Sequence, residues 1–130
     1  MSREAIMELK NGRETDILVG EQVMGWQVET DSARLKRLDH YFSSSKNAKW
    51  WRKPDGGGDD ILPPYSSDLT AAWQVVEQMN RRGQTVFILK TFEANQVAFN
   101  HPDVTSPDYV IEKTVAGAIC KAALVAVLTR

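Results

Sequence analysis

The last long segment of the chain, Val115 to Leu128, is apolar throughout except for Lys121. Thr114 can cap a helix at its start, and the apolar residues then recur at helical spacing over a wide face. That face consists of Val115, Ala118, Ile119, Ala122, Ala123, Ala126 and Val127. A membrane span needs about 20 apolar residues, so this shorter segment predicts a buried core helix. Its many alanines allow close approach to a sheet or to another helix.

Four further helices are predicted before this segment, from cap residues followed by helical spacing. They start at Ser2, at Thr15, at Asp31-Ser32 and at Ser67 or Asp68, and they end near Leu9, Gly25, Phe42 and Arg82. In the fourth, the predicted buried stripe is Leu69, Ala72, Trp73, Val76 and Met79. Apolar and β-branched runs predict short strands at residues 26–29, 49–52, 84–91, 96–100 and 108–112. The expected fold class is α+β, with a small, mostly antiparallel sheet covered by helices in an α/β/α sandwich.

A chain of 130 residues fits one domain, predicted here to span residues 1–130. Residues 43–64 are expected to form a partly flexible loop and hairpin region, because serines, glycines and prolines cluster there. The single cysteine, Cys120, excludes an intramolecular disulfide and fits a reducing cytoplasm. The N-terminal residues mix both charge signs, unlike a signal peptide. We therefore expect a soluble, cytoplasmic protein.

Positive charge is concentrated between Ser32 and Lys53. This segment holds seven basic residues and one acid, Asp39, for a net charge of +6, whereas the rest of the chain has a net charge of −7. The segment also carries five aromatic or imidazole rings: His40, Tyr41, Phe42, Trp50 and Trp51. Such a combination can attract an anion and stack a flat ring. The pI near 6.1 argues against a general nucleic-acid binder, which is usually basic overall.

No catalytic signature is present. The two histidines, His40 and His101, have no second metal ligand at helical or turn spacing. Asp59-Asp60 lies beside three glycines and is expected to be a solvated turn, and Gly56–Gly58 is expected to be a hairpin tip. Cys120 is expected to be a buried, inert thiol, since a reactive thiolate needs exposure and a nearby positive charge. The sequence predicts a protein that is not an enzyme, without a metal or a cofactor.

Two segments are candidates for ligand binding. In a strand, Trp50 and Trp51 point to opposite faces, with Arg52 beside Trp50 and Lys53 beside Trp51. One ring is then either an exposed stacking platform next to a cation or is covered by a loop, and both interpretations stay open. The second segment is Tyr65, Ser66 and Ser67, where backbone amides at a helix start and two hydroxyls can hold a phosphate; simple capping is the favoured alternative.

Three sequence blocks resemble the phage ABA sandwich domain, found in small phage and prophage proteins. They are Val23–Trp26, Tyr65–Asp68 followed by Ala71–Glu77, and Ala118–Leu124. The resemblance runs from about Ser2 to Val127 and implies a sheet between two helical layers in a protein of a bacterial host's cytoplasm. It implies no catalytic role.

The functional hypothesis is a non-catalytic phage or prophage accessory protein that binds a small anionic, nucleotide-like ligand and sequesters a host defence signal. The alternative is a protein–protein interaction module acting on a host or virion protein, with residues 32–42 as its contact surface. A homo-oligomer is a further arrangement left open. Neither a membrane nor nucleic acid is an expected partner.

Overall fold

Five α-helices and six strands form within residues 1–41 and 49–130, the part of the chain that the computed structural model describes. The helices are α1 (Arg3–Met7), α2 (Arg13–Val19), α3 (Ser32–Tyr41), α4 (Leu69–Arg81) and α5 (Val115–Leu128). The strands are β1 (Gln27–Val28), β2 (Trp51–Arg52), β3 (Asp59–Asp60), β4 (Thr85–Lys90), β5 (Asn95–Asn100) and β6 (Val110–Glu112). The α+β class predicted from the sequence is therefore confirmed. The predicted end of α3 at Phe42 and the first part of the predicted loop, residues 43–48, lie outside the described residues.

Side-chain caps start four of the helices at the predicted positions. The Ser2 hydroxyl accepts from the Ala5 amide at 3.1 Å, and the Thr114 hydroxyl accepts from the Gly117 amide at 3.1 Å. Asp68 caps α4, and Asp31 accepts from the amides in the first turn of α3. Thr15 was the wrong cap: α2 already begins at Arg13, and the buried Thr15 hydroxyl donates to the Lys10 carbonyl at 2.7 Å.

The strands form two antiparallel three-stranded sheets instead of the one small sheet expected. Their orders are β1-β2-β3 and β4-β5-β6. Strands β2 and β3 are joined by a tight connection, in which the Lys53 amide donates to the Gly58 carbonyl at 3.0 Å. Gly58 has a φ of 102°, a left-handed conformation that glycine adopts without a steric penalty. The prediction of a hairpin tip at Gly56–Gly58 is thus confirmed.

Helix α5 is the centre of the main core, as predicted. It contacts α1, α2, α4, β5 and β6, and Ile119 is fully buried in it. Lys121 is buried as well: its ammonium donates to the Met7 carbonyl at 3.0 Å and pairs with Glu112. A buried charge with both a carbonyl and a carboxylate partner avoids the cost of an unpaired ion. No helix in the described part of the chain is both long and apolar enough to cross a membrane.

The buried face of α4 matches the predicted one at Ala72, Val76 and Met79 and differs from it at Leu69 and Trp73. Ala71, Ala72, Val75, Val76 and Met79 are buried, whereas Leu69 is 52% exposed and Trp73 is 46% exposed. Both sets of residues recur at helical spacing, so the period alone does not fix which face turns inward. The small residues of the first set let α4 lie close to the alanine-rich α5. The prediction of a buried, structural Trp73 is therefore wrong.

Candidate functional site

A cavity of about 370 Å³ opens beside the small sheet β1-β2-β3. Its lining combines cationic side chains with glycines. The lining residues are Arg34, Arg52, Lys53, Gln27, Pro54, Gly25, Gly56 and Gly58. Gly25 has a φ of 84° and ends the π-helical turn Gly20–Met24 that follows α2, so the chain can turn sharply into β1 there. Strand β2 and its tight connection to β3 supply the opposite side.

Two carboxylates, Glu29 and Asp59, hold the arginines from outside this lining. Arg52 donates to Glu29 twice, from Nε to Oε2 at 2.9 Å and from Nη2 to Oε1 at 3.0 Å. Arg34 donates through Nε to Asp59 Oδ2 at 3.0 Å, and the same Nε lies 3.4 Å from Glu29 Oε2. Strand register brings Arg52 and Asp59 side by side, because they are direct cross-strand partners. The Glu29 and Asp59 side chains are buried, whereas those of Arg34 and Arg52 are 40% and 48% exposed.

The pKa values reflect this pairing. Hydrogen bonds from Arg52, and then from the Asp31 amide, lower the pKa of Glu29 to about 2. The same carboxylate raises the pKa of Arg52. Because a hydrogen bond to the charged form favours that form, both groups stay ionised across the neutral range. The guanidinium is thereby held in a fixed orientation at the cavity.

The site can offer directed hydrogen-bond donors to an anion. A guanidinium carries five N–H donors, and Glu29 and Asp59 engage only Nε and Nη2 of Arg52 and Nε of Arg34. No described residue accepts from the remaining guanidinium nitrogens. Lys53 adds an ammonium whose contact to Asp60 is long, at 3.9 Å and exposed, and such pairs contribute little. Since the acids offset the arginine charge, recognition here relies on fixed donors more than on net charge.

Of the first candidate segment, Arg52 and Lys53 both line the cavity, whereas Trp50 and Trp51 do not. Trp50 is only 9% exposed and Trp51 only 1% exposed. Of the two open interpretations, the exposed stacking platform is therefore contradicted, and the covered ring remains. Trp51 packs with Trp26 and Leu62 in a small second core cluster. The Trp50 indole donates to Asp39 at 3.2 Å.

Tyr65, Ser66 and Ser67 also lie outside the lining. Tyr65 is buried, and its hydroxyl accepts from the Trp26 indole at 3.0 Å; burial raises the pKa of Tyr65 to about 12. The Ser66 amide and hydroxyl both donate to the buried carboxylate of Asp16, at 2.8 and 2.7 Å. In this turn before α4, the donors of Ser66 are thus already occupied by a carboxylate of the protein itself. Ser67 is exposed.

The sequence patterns did not identify Glu29 or Asp59 as site residues. Asp59 was expected to lie in a solvated turn, whereas its side chain is buried. Asp59 follows three glycines, which is typical of an exposed loop, but its cross-strand partner and Arg34 bury it. The expected inert thiol is confirmed, because Cys120 is buried and burial raises its pKa. Within the described ranges, no three His, Cys, Asp or Glu side chains group closely enough to hold a metal ion.

Comparison with known proteins places the chain among phage proteins. The profile of the Phage ABA sandwich domain matches residues 17–124. A solved structure, described as the 2.0 Å crystal structure of a phage protein from Bacillus cereus ATCC 14579, superposes with a TM-score of 0.57 at 25% sequence identity. That similarity covers 89% of this chain and 90% of the other. A comparison with curated proteins found no match. The chain therefore belongs to the Phage ABA sandwich domain family.

Proposed function

We propose that this phage protein binds a small anionic ligand in the cavity lined by Arg34, Arg52 and Lys53. One observation supports the proposal above the others: Arg34, Arg52 and Lys53 all belong to the cavity lining, while Glu29 and Asp59, which orient the two arginines, lie outside it. Arginine nitrogens in a fixed fork suit the oxygens of phosphate or carboxylate groups. The glycine connection lets a ligand approach the backbone closely.

The ligand class follows from the size and lining of the cavity. Small-molecule pockets typically measure about 300–1,000 Å³, and this one is near the lower end at about 370 Å³. Among the residues that the structure describes, no aromatic side chain belongs to its lining. We therefore infer that the phosphate or carboxylate portion of a ligand is held here, with a nucleotide base outside. Binding without turnover would sequester the ligand, which is the action proposed for a signal of host defence.

Isothermal titration calorimetry tests this function. The titrants are pyrophosphate and a panel of mono-, di- and cyclic nucleotides, each at two salt concentrations. Lys53→Ala removes a lining cation with a weak partner, and we expect it to lower affinity about ten-fold or more, the range of a charge-assisted hydrogen bond. Lys36→Ala is the matched control, since Lys36 is an exposed residue of α3 outside the lining.

Two outcomes would contradict the proposal. In one, no anion of the panel binds at either salt concentration. In the other, Lys36→Ala weakens binding as much as Lys53→Ala, so that only overall charge matters. Arg52→Ala is less informative, because it leaves the buried Glu29 carboxylate without its main partner.

The alternative function, binding of a host or virion protein, is favoured by a different surface. Leu69 and Trp73 lie exposed on α4 and line a shallow groove of about 570 Å³ together with Thr70, Gln74 and Glu77. Large exposed aromatic residues are common anchors of protein interfaces. A photo-crosslinking amino acid at position 73, with the exposed position 111 on β6 as the control, would capture such a partner in infected cells. One protein captured from position 73 and not from position 111 would favour this function.

A further inference from the structure

Strand β4 is an open edge of its sheet. It pairs with β5 in continuous register over all six residues, from Thr85 with Asn100 to Lys90 with Asn95. On its other side no strand pairs with it, and no described residue makes a hydrogen bond there. Unpaired edges are templates for pairing with another chain.

The hydrogen bonds between β4 and β5 show which backbone amides and carbonyls of β4 point to its open side. The Thr91 amide donates to the Ala94 carbonyl at 2.9 Å, which makes 91 and 94 a hydrogen-bonded pair. Bonding alternates along an antiparallel strand, so Thr85, Phe87 and Leu89 direct their amides and carbonyls towards β5. Val86, Ile88 and Lys90 direct theirs to the open side.

Strand β4 lacks most of the features that normally protect an edge strand, and its one charge is Lys90 at its end. Protected edges are short, bulged, charged or interrupted by proline. From Thr85 to Leu89 the strand has no charge and no proline, and its register shows no bulge. The other edge of the sheet, β6, is only three residues long, ends at Glu112 and is followed by Lys113. The two edges are therefore not equivalent.

We propose that two copies of this chain pair through β4, antiparallel, with Ile88 on the twofold axis. In that register Ile88 faces the partner's Ile88, and Val86 faces the partner's Lys90. All three outward amides and carbonyls of each copy then gain partners. Phe87 lies opposite the partner's Leu89, an aromatic–aliphatic pair that favours strand association. The Lys90 ammonium meets no like charge, because the partner's Lys90 lies at the far end of the ladder.

The surface area that pairing through β4 can bury limits the affinity of the dimer. Stable complexes bury about 800 Å² per partner, more than one strand edge supplies. Ile88 and Leu89 are exposed beside the edge, and Phe92, just past the strand, is fully exposed. A buried aromatic side chain adds about 150–250 Å², and in this register Phe92 lies beside the partner's Gln84. We therefore expect a reversible dimer that dissociates on dilution.

Hydrogen exchange of the wild-type chain, followed residue by residue by NMR, tests the register without any substitution. The amides of Val86, Ile88 and Lys90 gain protection as the protein concentration rises, whereas those of Phe87 and Leu89 are protected at every concentration. Sedimentation velocity over the same series shows the change in mass. A protein that stays monomeric, or protection of these five amides that does not alternate, overturns the proposal.

A charge exchange tests the twofold axis. Ile88→Lys and Ile88→Glu each place like charges opposite one another, so each variant alone is monomeric, and their equimolar mixture recovers the dimer. Ile111→Lys on β6, also at an exposed isoleucine, leaves the dimer unchanged. Loss of the dimer in Ile111→Lys with retention in both Ile88 variants would place the interface elsewhere and overturn the proposal.

Discussion

Arg52 forms a bidentate, side-on ion pair with Glu29, in which Nε and Nη2 donate to the two carboxylate oxygens at 2.9 and 3.0 Å. Two parallel bonds fix the guanidinium plane as well as its position. Glu29 follows β1 and Arg52 lies in β2, so the contact also ties these two short strands together. A strand pair only two residues long has few backbone bonds, which makes this side-chain contact important for the geometry of the cavity.

Acid should weaken the fold through Glu29. The pKa of Glu29 is lowered to about 2 in the folded protein, whereas an unperturbed glutamate titrates near 4.3. Its contribution to stability is therefore fully present above the unfolded pKa and is lost as the pH falls from about 4.3 to about 2. Denaturant titrations of the wild type and of Glu29→Gln between pH 2 and 7 check this. The stability difference between the two should shrink across that window; parallel curves would contradict it.

The two tryptophans Trp51 and Trp73 should respond in opposite ways to truncation. Trp51→Ala empties a buried site in the small core cluster and is expected to cost about 3–5 kcal/mol of unfolding free energy. Trp73→Ala removes a ring that is 46% exposed and is expected to cost about 1 kcal/mol or less. Chemical denaturation followed by far-UV circular dichroism compares them, since fluorescence changes with each substitution. Equal losses would mean that the assigned face of α4 is incorrect.

Helix and strand positions were largely predictable from the sequence, because they depend on local patterns. Caps such as Ser2 and Thr114 lie next to the turns they stabilise, and α5 has one unambiguous apolar run. The face of α4 was not predictable in the same way. Trp73 is the largest apolar residue of that helix, yet Ala71 and Val75 occupy the core, since close packing against α5 favours small side chains.

Of the residues that form the cavity, only the cationic ones were predictable from the sequence. Arg52 and Lys53 stand out in a basic segment, and their charge remains accessible. Asp59 pairs with Arg34, which lies 25 positions earlier in the chain, and no local pattern encodes that contact. Trp50 and Trp51 show the same limit: alternation along an extended chain predicts opposite faces for two neighbouring rings, but it does not predict whether each face is covered, and both rings are buried.

Ser66 should prove structural, in contrast to the sequence-based expectation of a ligand contact. Ser66→Ala removes a hydroxyl that donates to the buried Asp16 carboxylate at 2.7 Å, and a hydrogen bond to a charged group contributes about 1.5–3 kcal/mol. The neighbouring Ser67→Ala, at an exposed position, should change stability by no more than about 0.5 kcal/mol. Thermal denaturation compares the two variants. Pyrophosphate calorimetry should give the wild-type affinity for both, and weaker binding by Ser66→Ala alone would restore Ser66 as a ligand contact.

Ile119 should be among the positions least tolerant of a charge. It is fully buried in α5, the helix that contacts α1, α2, α4 and two strands. Ile119→Asp places a carboxylate where no cation is available on the apolar face, and we expect it to cost several kcal/mol or to prevent folding. Ile111→Asp makes the same chemical change at an exposed strand position and should cost about 1 kcal/mol or less. Soluble yield and melting temperature measure both, and an unchanged melting temperature for Ile119→Asp would show that α5 buries a different face.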